Sequence, residues 1–196
     1  TRNLMCIEAF TDASFEFPNL YPSTNDFEKV DIYQTEPFIV IAPASIWLTK
    51  QFPKEKWIEL IKAFNDKYKI YLIGAASDIS LCNDIIIKSD MKKVETLCGQ
   101  LSILQSAALM KNAVMNYVND SAPLHIASAM NAPVTAFYCS TVPAFGFGPL
   151  SDRSFIVETN GLDCRPCGLH GFKACPKAHF NCALQLNMSV KSTHLP

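Results

Sequence analysis

The sequence is poor in charge and has no block of either sign. Charged residues make up 18% of the 196 residues and the net charge is −1, so the chain carries no electrostatic footprint for nucleic acid. No apolar run approaches the length of a membrane-spanning helix, and no signal peptide opens the chain. Internal repeats and low-complexity segments are lacking as well. These absences argue against a nucleic-acid-binding protein and a repeat array.

The sequence is rich in apolar residues. Hydrophobic residues make up 49% of the chain, which is enough for a real core and too much for a disordered protein. The length suits one large domain, or one domain with an extension. Because the first residue is Thr1 and not Met, we expect the chain to be a piece of a longer protein.

The eight cysteines form two groups. Four are scattered through apolar segments, where we expect buried free thiols: Cys6, Cys82, Cys98 and Cys139. Four lie within nineteen residues near the C-terminus: Cys164, Cys167, Cys175 and Cys182. A secreted disulfide scaffold would be shorter and poorer in core residues, so a reduced, cytosolic setting fits better.

Six short apolar runs predict the strands of a sheet. They are mostly apolar and do not alternate regularly, as expected for strands that are buried on both faces. The runs are 38–42, 69–74, 94–97, 114–118, 134–138 and 155–157.

Helical patterns lie between these runs. Segment 54–67 places Trp57, Ile61 and Phe64 on one face. Ile79, Cys82 and Ile86 share a face after Asp78, and Ser102 is expected to cap a helix at 103–111 with Leu104, Ala107 and Ala108 inward. Alternating strands and helices predict an α/β fold with a doubly wound parallel, Rossmann-like sheet. We therefore expect an irregular linker or docking strap at 1–36, a Rossmann-like domain at 37–158 and a cysteine-rich tail at 159–196.

The most informative stretch begins at Asn119. The apolar run 114–118 stops at Asn119-Asp120-Ser121, and a helical pattern with Pro123 in its first turn follows at once. Strand, turn and helix in this order point free backbone N–H groups at an anion, at the edge where parallel sheets bind ligands. Asp120 and His125 would then lie beside a phosphorylated ligand. The alternative is that Asp120 and Ser121 only cap the helix and that His125 is structural.

Two further loops are expected at the same edge. Loop 43–53 offers the hydroxyls of Ser45 and Thr49 and the charge of Lys50, which suits a phosphate, unless Lys50 is only solvated. In loop 74–78, Gly74 would let the backbone approach an adenosine or ribose closely. The alternative for that loop is a tight turn capped by Ser77 or Asp78.

The tail carries a Cys-x-x-Cys pair, two more cysteines, and the interspersed residues His170 and His179. A structural zinc site is one interpretation, although the second cysteine pair is more widely spaced than usual. Two disulfides, or reduced cysteines packed on the domain, are the alternatives. The metal content of the tail stays open at this point.

Three motifs together resemble the ADP-heptose:lipopolysaccharide heptosyltransferases, the ninth glycosyltransferase family, over about residues 37–184. They are Pro43-x-Ser45-x-Trp47-x-x-Lys50-x-Phe52-Pro53 leading into Trp57, then Asn119-Asp120-Ser121-x-x-x-His125-x-Ala127-x-Ala129, and the tail with its Cys-x-Pro-Cys and Cys-Pro-x-x-His-x-x-Cys segments. The resemblance implies the C-terminal, donor-binding domain of a GT-B enzyme, in which two Rossmann-like domains face a cleft.

The resemblance also implies an inverting transfer from a nucleotide-sugar, expected to be an ADP-sugar, without a metal or other cofactor. Lys50 would lie near the diphosphate, Asp120 near the sugar hydroxyls, and the helix from Ser121 and Ala122 would receive the phosphates. No catalytic residue is expected in this chain, because the family's general base lies in the N-terminal domain. A lipid-linked, lipopolysaccharide-core-type acceptor would bind through that domain, at the cytoplasmic face of the inner membrane, with peripheral membrane association.

Two departures from the family pattern concern the base and the sugar. Ala122 stands where members often have Gly, and Ala76 stands where some have a Glu that holds the ribose. Two alternative functions are a nucleotide-sugar epimerase of GT-B fold and a non-catalytic binding module with the tail as a metal knuckle.

Overall fold

A six-stranded parallel sheet forms the centre of the protein. The computed structural model describes residues 5–12, 14 and 16–186. The strand order is β3-β2-β1-β4-β5-β6 and every neighbouring pair is parallel. The strands are β1 (Phe38–Ala42), β2 (Lys69–Leu72), β3 (Val94–Thr96), β4 (Met115–Asn119), β5 (Val134–Tyr138) and β6 (Ser154–Glu158). This is the doubly wound, Rossmann-like sheet that the sequence predicts.

The central strands are buried on both faces. Every residue of β1, β4 and β5 is buried, which explains their apolar composition. Ile39 of β1 is in register with Ile70 of β2 on one side and with Met115 of β4 on the other. All six predicted strands are confirmed, and their ends differ from the prediction by at most about two residues.

Helices cover both faces of the sheet. In chain order they are α1 (Thr24–Val30), α2 (Lys54–Phe64), α3 (Ile79–Ser89), α4 (Ile103–Asn112), α5 (Ala122–Ala129) and α6 (Asn181–Leu184). The core between sheet and α2, α3 and α6 includes Trp57, Phe64 and Cys182, and the core on the other face includes Val30 of α1, Leu109 of α4 and Leu124 of α5. Ser102 caps α4 as predicted, because its hydroxyl accepts a hydrogen bond from Gln105 N at 3.2 Å.

Segment 1–36 corrects our expectation of an irregular strap. Residues Thr24–Val30 form helix α1, which begins with a capping box in which Ser23 N donates to Asp26 Oδ2 at 2.8 Å and Asp26 N donates to Ser23 Oγ at 3.3 Å. Val30 is fully buried against the core that α4 and α5 share. The second half of this segment therefore belongs to the folded domain.

Two side chains are placed differently from their predictions. Cys6 is exposed and not buried. Ile79 is 40% exposed, because the buried face of α3 runs through Cys82 and Ile85. Since Ile79 is the first residue of α3, it lies at the helix end, where the apolar face no longer covers the sheet.

The strand order defines where a ligand is expected. The order reverses between β1 and β4, and ligands of doubly wound sheets bind outside the carboxyl ends of the strands at such a point. Within the described residues, no helix is long and apolar enough to cross a membrane. The edge of the sheet beyond Ala42 and Asn119 is the place to look for a site.

Candidate functional site

A cavity of about 530 Å³ opens at the carboxyl ends of β1, β2 and β4. Small and aliphatic side chains form most of its wall, so the cavity offers shape and backbone groups more than charge. Residues that line it include Ser45 after β1, Gly74, Ala75 and Ser77 after β2, and Ser121, Ala122 and Pro123 after β4. Of the seven residues predicted to bind a ligand, Ser45, Ser121 and Ala122 lie in this wall.

The amino end of α5 opens into the cavity. Ser121 precedes the helix in an extended conformation, and its side chain makes no capping hydrogen bond; its hydroxyl donates to Asn119 O at 3.4 Å instead. Pro123 has no N–H group, and Leu124 N donates to Ser121 O at 3.0 Å. This leaves the N–H group of Ala122, together with that of Ser121 just before the helix, to receive an anion.

Lys50 and Asp120 form an ion pair beside this helix end. Lys50 Nζ lies 2.8 Å from Asp120 Oδ2, and the two side chains are 16% and 7% exposed. Thr141 Oγ1 donates to the same carboxylate oxygen at 2.6 Å. Asp120 therefore holds Lys50 and does not cap the helix with its side chain, which corrects the capping alternative. The pair places one cationic group next to Ser121.

His125 lies one turn into α5 on the exposed side of the helix. Its ring centroid is 6.1 Å from that of Phe147. Desolvation by the surrounding protein lowers the pKa of His125 below 6.5, Asp120 opposes this shift, and Lys50 adds to it. The charges of the Lys50–Asp120 pair therefore act on this ring, and the net effect on its pKa favours the neutral imidazole.

Thr49 has a different role from the predicted one. The residue is only 2% exposed, and its hydroxyl oxygen accepts a hydrogen bond from Phe172 N at 2.7 Å and lies 3.0 Å from Ser140 Oγ. This hydroxyl is buried, accepts from two protein donors and does not line the cavity. Thr49 therefore joins the loop after β1 to the tail, and we no longer count it as a ligand contact.

The loop after β2 is a tight turn capped by Asp78, which was the alternative to a ligand-binding loop. Asp78 Oδ2 accepts a hydrogen bond from Ala75 N at 2.8 Å. A Cβ on Gly74 would lie 2.7 Å from Asp78 Oδ2 and 3.2 Å from Cys98 Sγ, so the chain's own packing already favours glycine here. The loop still faces the cavity through Ala75 and Ser77.

Sequence reasoning missed what Asn119 does. This residue is fully buried at the end of β4. Its Oδ1 accepts a hydrogen bond from Phe52 N at 2.8 Å, and its Nδ2 donates to Pro43 O at 2.9 Å and to Ala44 O at 3.2 Å. One side chain thus fixes both ends of the loop after β1. The available signal was an amide residue at the end of an apolar strand.

Arg165 of the tail was missed as well. Its guanidinium donates to the backbone oxygens of Cys139, Thr159 and Thr141 at 2.8, 2.9 and 2.7 Å, and NH2 lies 2.6 Å from Glu158 Oε2. The side chain is 6% exposed. By donating to several carbonyls, this guanidinium fixes the loop after β5, which contains Thr141, to the tail.

The four tail cysteines are not joined in disulfides. Cys164 Sγ lies 3.8 Å from His179 Nε2, and Cys167 Sγ donates to Cys164 O at 2.8 Å. Among the residues that the structure describes, no group of three or more His, Cys, Asp or Glu side chains is arranged to hold a metal ion. Burial raises the pKa of Cys182 to about 11, so this thiol is protonated at pH 7. The arrangement fits reduced cysteines packed on the domain.

Comparisons with known proteins agree with this architecture. The family model for glycosyltransferase family 9 (heptosyltransferase) matches residues 8–176. Lipopolysaccharide heptosyltransferase 2 of Escherichia coli is 29% identical over 127 residues, which are 62% of this chain and 36% of that protein. The chain therefore spans little more than a third of the length of this relative.

Solved structures show the same fold. The glycosyl transferase of family 9 from Veillonella parvula has a TM-score of 0.70 and 21% identity, covering 80% of this chain and 47% of that one. The E. coli ADP-heptose lps heptosyltransferase II has a TM-score of 0.66 and 23% identity, covering 80% and 52%. Because the family model matches most of the chain, the chain belongs to glycosyltransferase family 9, the heptosyltransferases.

Proposed function

We propose that this chain is the donor-binding domain of an inverting, metal-independent glycosyltransferase that takes a sugar, expected to be a heptose, from an ADP-sugar. The observation that carries the proposal is the ion pair of Lys50 and Asp120 beside the open amino end of α5, at the edge of the 530 Å³ cavity. Family membership supports it, and so does the name of the E. coli relative with the same fold, an ADP-heptose lps heptosyltransferase.

The cavity and the cationic group suit different parts of an ADP-sugar. The apolar wall between Ala75 and Ile103 matches a base and ribose, while the N–H groups of Ser121 and Ala122 and the ammonium of Lys50 match a diphosphate. Stabilising the departing ADP is the chemical task of such groups, because negative charge develops on the diphosphate as the glycosidic bond breaks. Asp120 then lies where a sugar hydroxyl could donate to it.

The remaining parts of the reaction are assigned outside this chain. We place the general base and the lipid-linked, lipopolysaccharide-core-type acceptor on a preceding domain that faces this one across a cleft, as in a GT-B enzyme. The whole protein would work at the cytoplasmic face of the inner membrane as a peripheral protein. Transfer that continues in the presence of a metal chelator would support the absence of a cofactor.

Calorimetry with ADP tests the donor site. Lys50→Ala is expected to weaken binding of ADP and of an ADP-sugar by about 1–3 kcal/mol, as for the loss of a charge-assisted hydrogen bond. Asp120→Ala is expected to weaken binding of the ADP-sugar, whose hydroxyl it would accept, by a similar amount. Lys93→Ala is the matched control, because Lys93 is also paired with a carboxylate, Glu36, but precedes β3 at the opposite edge of the sheet. Unchanged affinity in both site variants would remove the diphosphate from this position.

The choice of nucleotide separates the alternatives. ADP is expected to bind more tightly than UDP. A preference for UDP would favour an epimerase-like enzyme of the same fold, and no binding of either nucleotide would favour a non-catalytic module.

A further inference from the structure

The cysteine-rich tail crosses the loop that carries Lys50 and the loop after β5, whose Thr141 donates to Asp120. Where it passes the loop after β1, two hydrogen bonds join the segments: Thr49 N donates to Phe172 O at 3.1 Å, and Phe172 N donates to Thr49 Oγ1 at 2.7 Å. Thr49 is the residue before Lys50. The tail therefore holds the backbone from which the lysine side chain starts.

The same tail segment also holds the loop after β5. Cys167 N donates to Ser140 O at 2.9 Å, and Arg165 NH2 donates to Thr141 O at 2.7 Å. Ser140 N in turn donates to Thr49 O at 3.1 Å. Three separate segments are thus bonded to one another, and the next residue, Thr141, donates to the carboxylate of Asp120.

Gly171 brings the tail into direct contact with the lysine. Its φ is +80°, and a Cβ built on it would lie 2.9 Å from Lys50 Cγ, 3.1 Å from Thr49 Oγ1 and 3.2 Å from Trp47 Cβ. The aliphatic stem of Lys50 therefore packs against a residue without a side chain. Any larger residue at this position has to displace the lysine or the tail.

We propose that tail segment 165–172 is a clamp that positions Lys50 and Asp120, with Gly171 and Thr49 as its positioning residues. The inference rests on the proposed function, in which the pair serves the donor diphosphate. Neither positioning residue lies in the wall of the cavity. In this inference, their effect on a ligand passes through Lys50 or Asp120.

Gly171→Ala tests the clamp, and Gly161→Ala is its matched control. Gly161 also has a positive φ, +76°, but nothing lies within 4 Å of the place that a Cβ would occupy, so alanine there adds backbone strain without a clash. In the full-length protein, we expect Gly171→Ala to weaken ADP binding by about tenfold or more. Gly161→Ala is expected to stay within about twofold of the parent protein.

Thr49 gives a second pair of variants that does not depend on glycine geometry. Thr49→Val removes the hydroxyl but keeps the shape, so Phe172 N and the Ser140 hydroxyl lose their partner. Thr49→Ser keeps the hydroxyl. We expect the valine variant to lose ADP affinity as Gly171→Ala does, and the serine variant to retain affinity within about twofold.

A double-mutant cycle shows whether the effect passes through the lysine. In a Lys50→Ala background, Gly171→Ala should cost less than about twofold in further ADP affinity, because the group that it misplaces is already gone. An undiminished loss in that background would overturn the positioning role.

Amide hydrogen exchange reports on the clamp without any ligand. Gly171→Ala should speed exchange at Thr49 and Phe172 by about tenfold or more, with no change in Gly161→Ala. Unchanged exchange would show that the clamp does not exist. If Lys50→Ala alone leaves ADP affinity unaltered, the proposed function is wrong, and the positioning role of the clamp is wrong with it. The exchange rates at Thr49 and Phe172 would still show whether the tail restrains the loop.

Discussion

Lys50 Nζ lies 2.8 Å from Asp120 Oδ2, and this contact joins the loop after β1 to the amino end of α5. Both side chains are mostly buried, so solvent screens the pair less than a surface ion pair. The ammonium group of Lys50 is therefore held at a defined position beside the helix end.

Asp120→Asn removes the negative charge but keeps an oxygen that can accept from Thr141. Because Lys50 then remains partly buried without a counter-charge, we expect the free energy of unfolding to fall by about 1–3 kcal/mol. Urea unfolding at pH 7 measures it. Glu36→Gln is the control, since its pair with Lys93 is 40% exposed on both sides and should cost less than about 1 kcal/mol. An equal decrease in the free energy of unfolding in the two variants would contradict the stabilising role of Asp120.

Asn119→Ala should destabilise the domain more than its size suggests. The change leaves Phe52 N without its acceptor and frees the carbonyls of Pro43 and Ala44, all at a fully buried side chain. A buried donor without a partner costs about 1–3 kcal/mol. Asn112→Ala is the control: its amide donates to Gln34 at an exposed position, where changes stay within about 0.5 kcal/mol. A loss for Asn119→Ala no larger than that of the control, in urea unfolding, would show that the loop does not depend on this amide.

The shifted pKa of His125 predicts how the stability of the domain changes with pH. The pKa of His125 is lowered below 6.5 by desolvation, so the unfolded chain binds more protons than the folded chain between the folded pKa and 6.5. The contribution of His125 to the free energy of unfolding is then fully present above pH 6.5 and is lost as the pH falls through the pKa of the folded state. Unfolding measured at pH 5.5 and 7.5 should differ less in His125→Gln than in the parent protein. A larger difference in the variant would mean that the protonated ring is favoured in the folded state.

Residues 1–196 alone should not transfer sugar. Removing a general base typically costs about 10²–10⁴-fold, and losing the positioning of the acceptor costs more. Turnover of an ADP-sugar by the isolated chain is compared with turnover by a protein that contains both domains, with circular dichroism to show that each is folded. Transfer by the isolated chain at the rate of the two-domain protein would show that the catalytic residues lie here.

The strands could be predicted because their chemistry is local. Runs such as 38–42 and 134–138 are buried on both faces, and such positions favour apolar side chains. Helix α1 was missed because prolines and polar residues surround it, although Ser23 and Asp26 form a capping box that the sequence displays. Its stability comes from packing against α4, which a local pattern does not report.

The expected location of the candidate site could be derived from the sequence, but the contacts among its residues could not. The strand–helix junction at Ser121 and the charge at Lys50 follow from chain order and sheet topology. The pairing of Lys50 with Asp120 joins residues that are 70 positions apart, and the burial of Thr49 depends on where the tail returns. Gly74 shows the same limit, since its neighbour Cys98 comes from the far side of α3.

The hydrogen bond between Phe172 and Thr49 has a consequence for biosynthesis. The two residues are 123 positions apart, so at about 5–20 residues per second the ribosome releases Phe172 roughly 6–25 s after Thr49. All six strands precede the tail in the chain, so the sheet can assemble before the tail reaches Thr49 and Lys50. A nascent or proteolytically shortened chain that ends near residue 160 would have a complete sheet but would lack the tail contacts that hold Thr49.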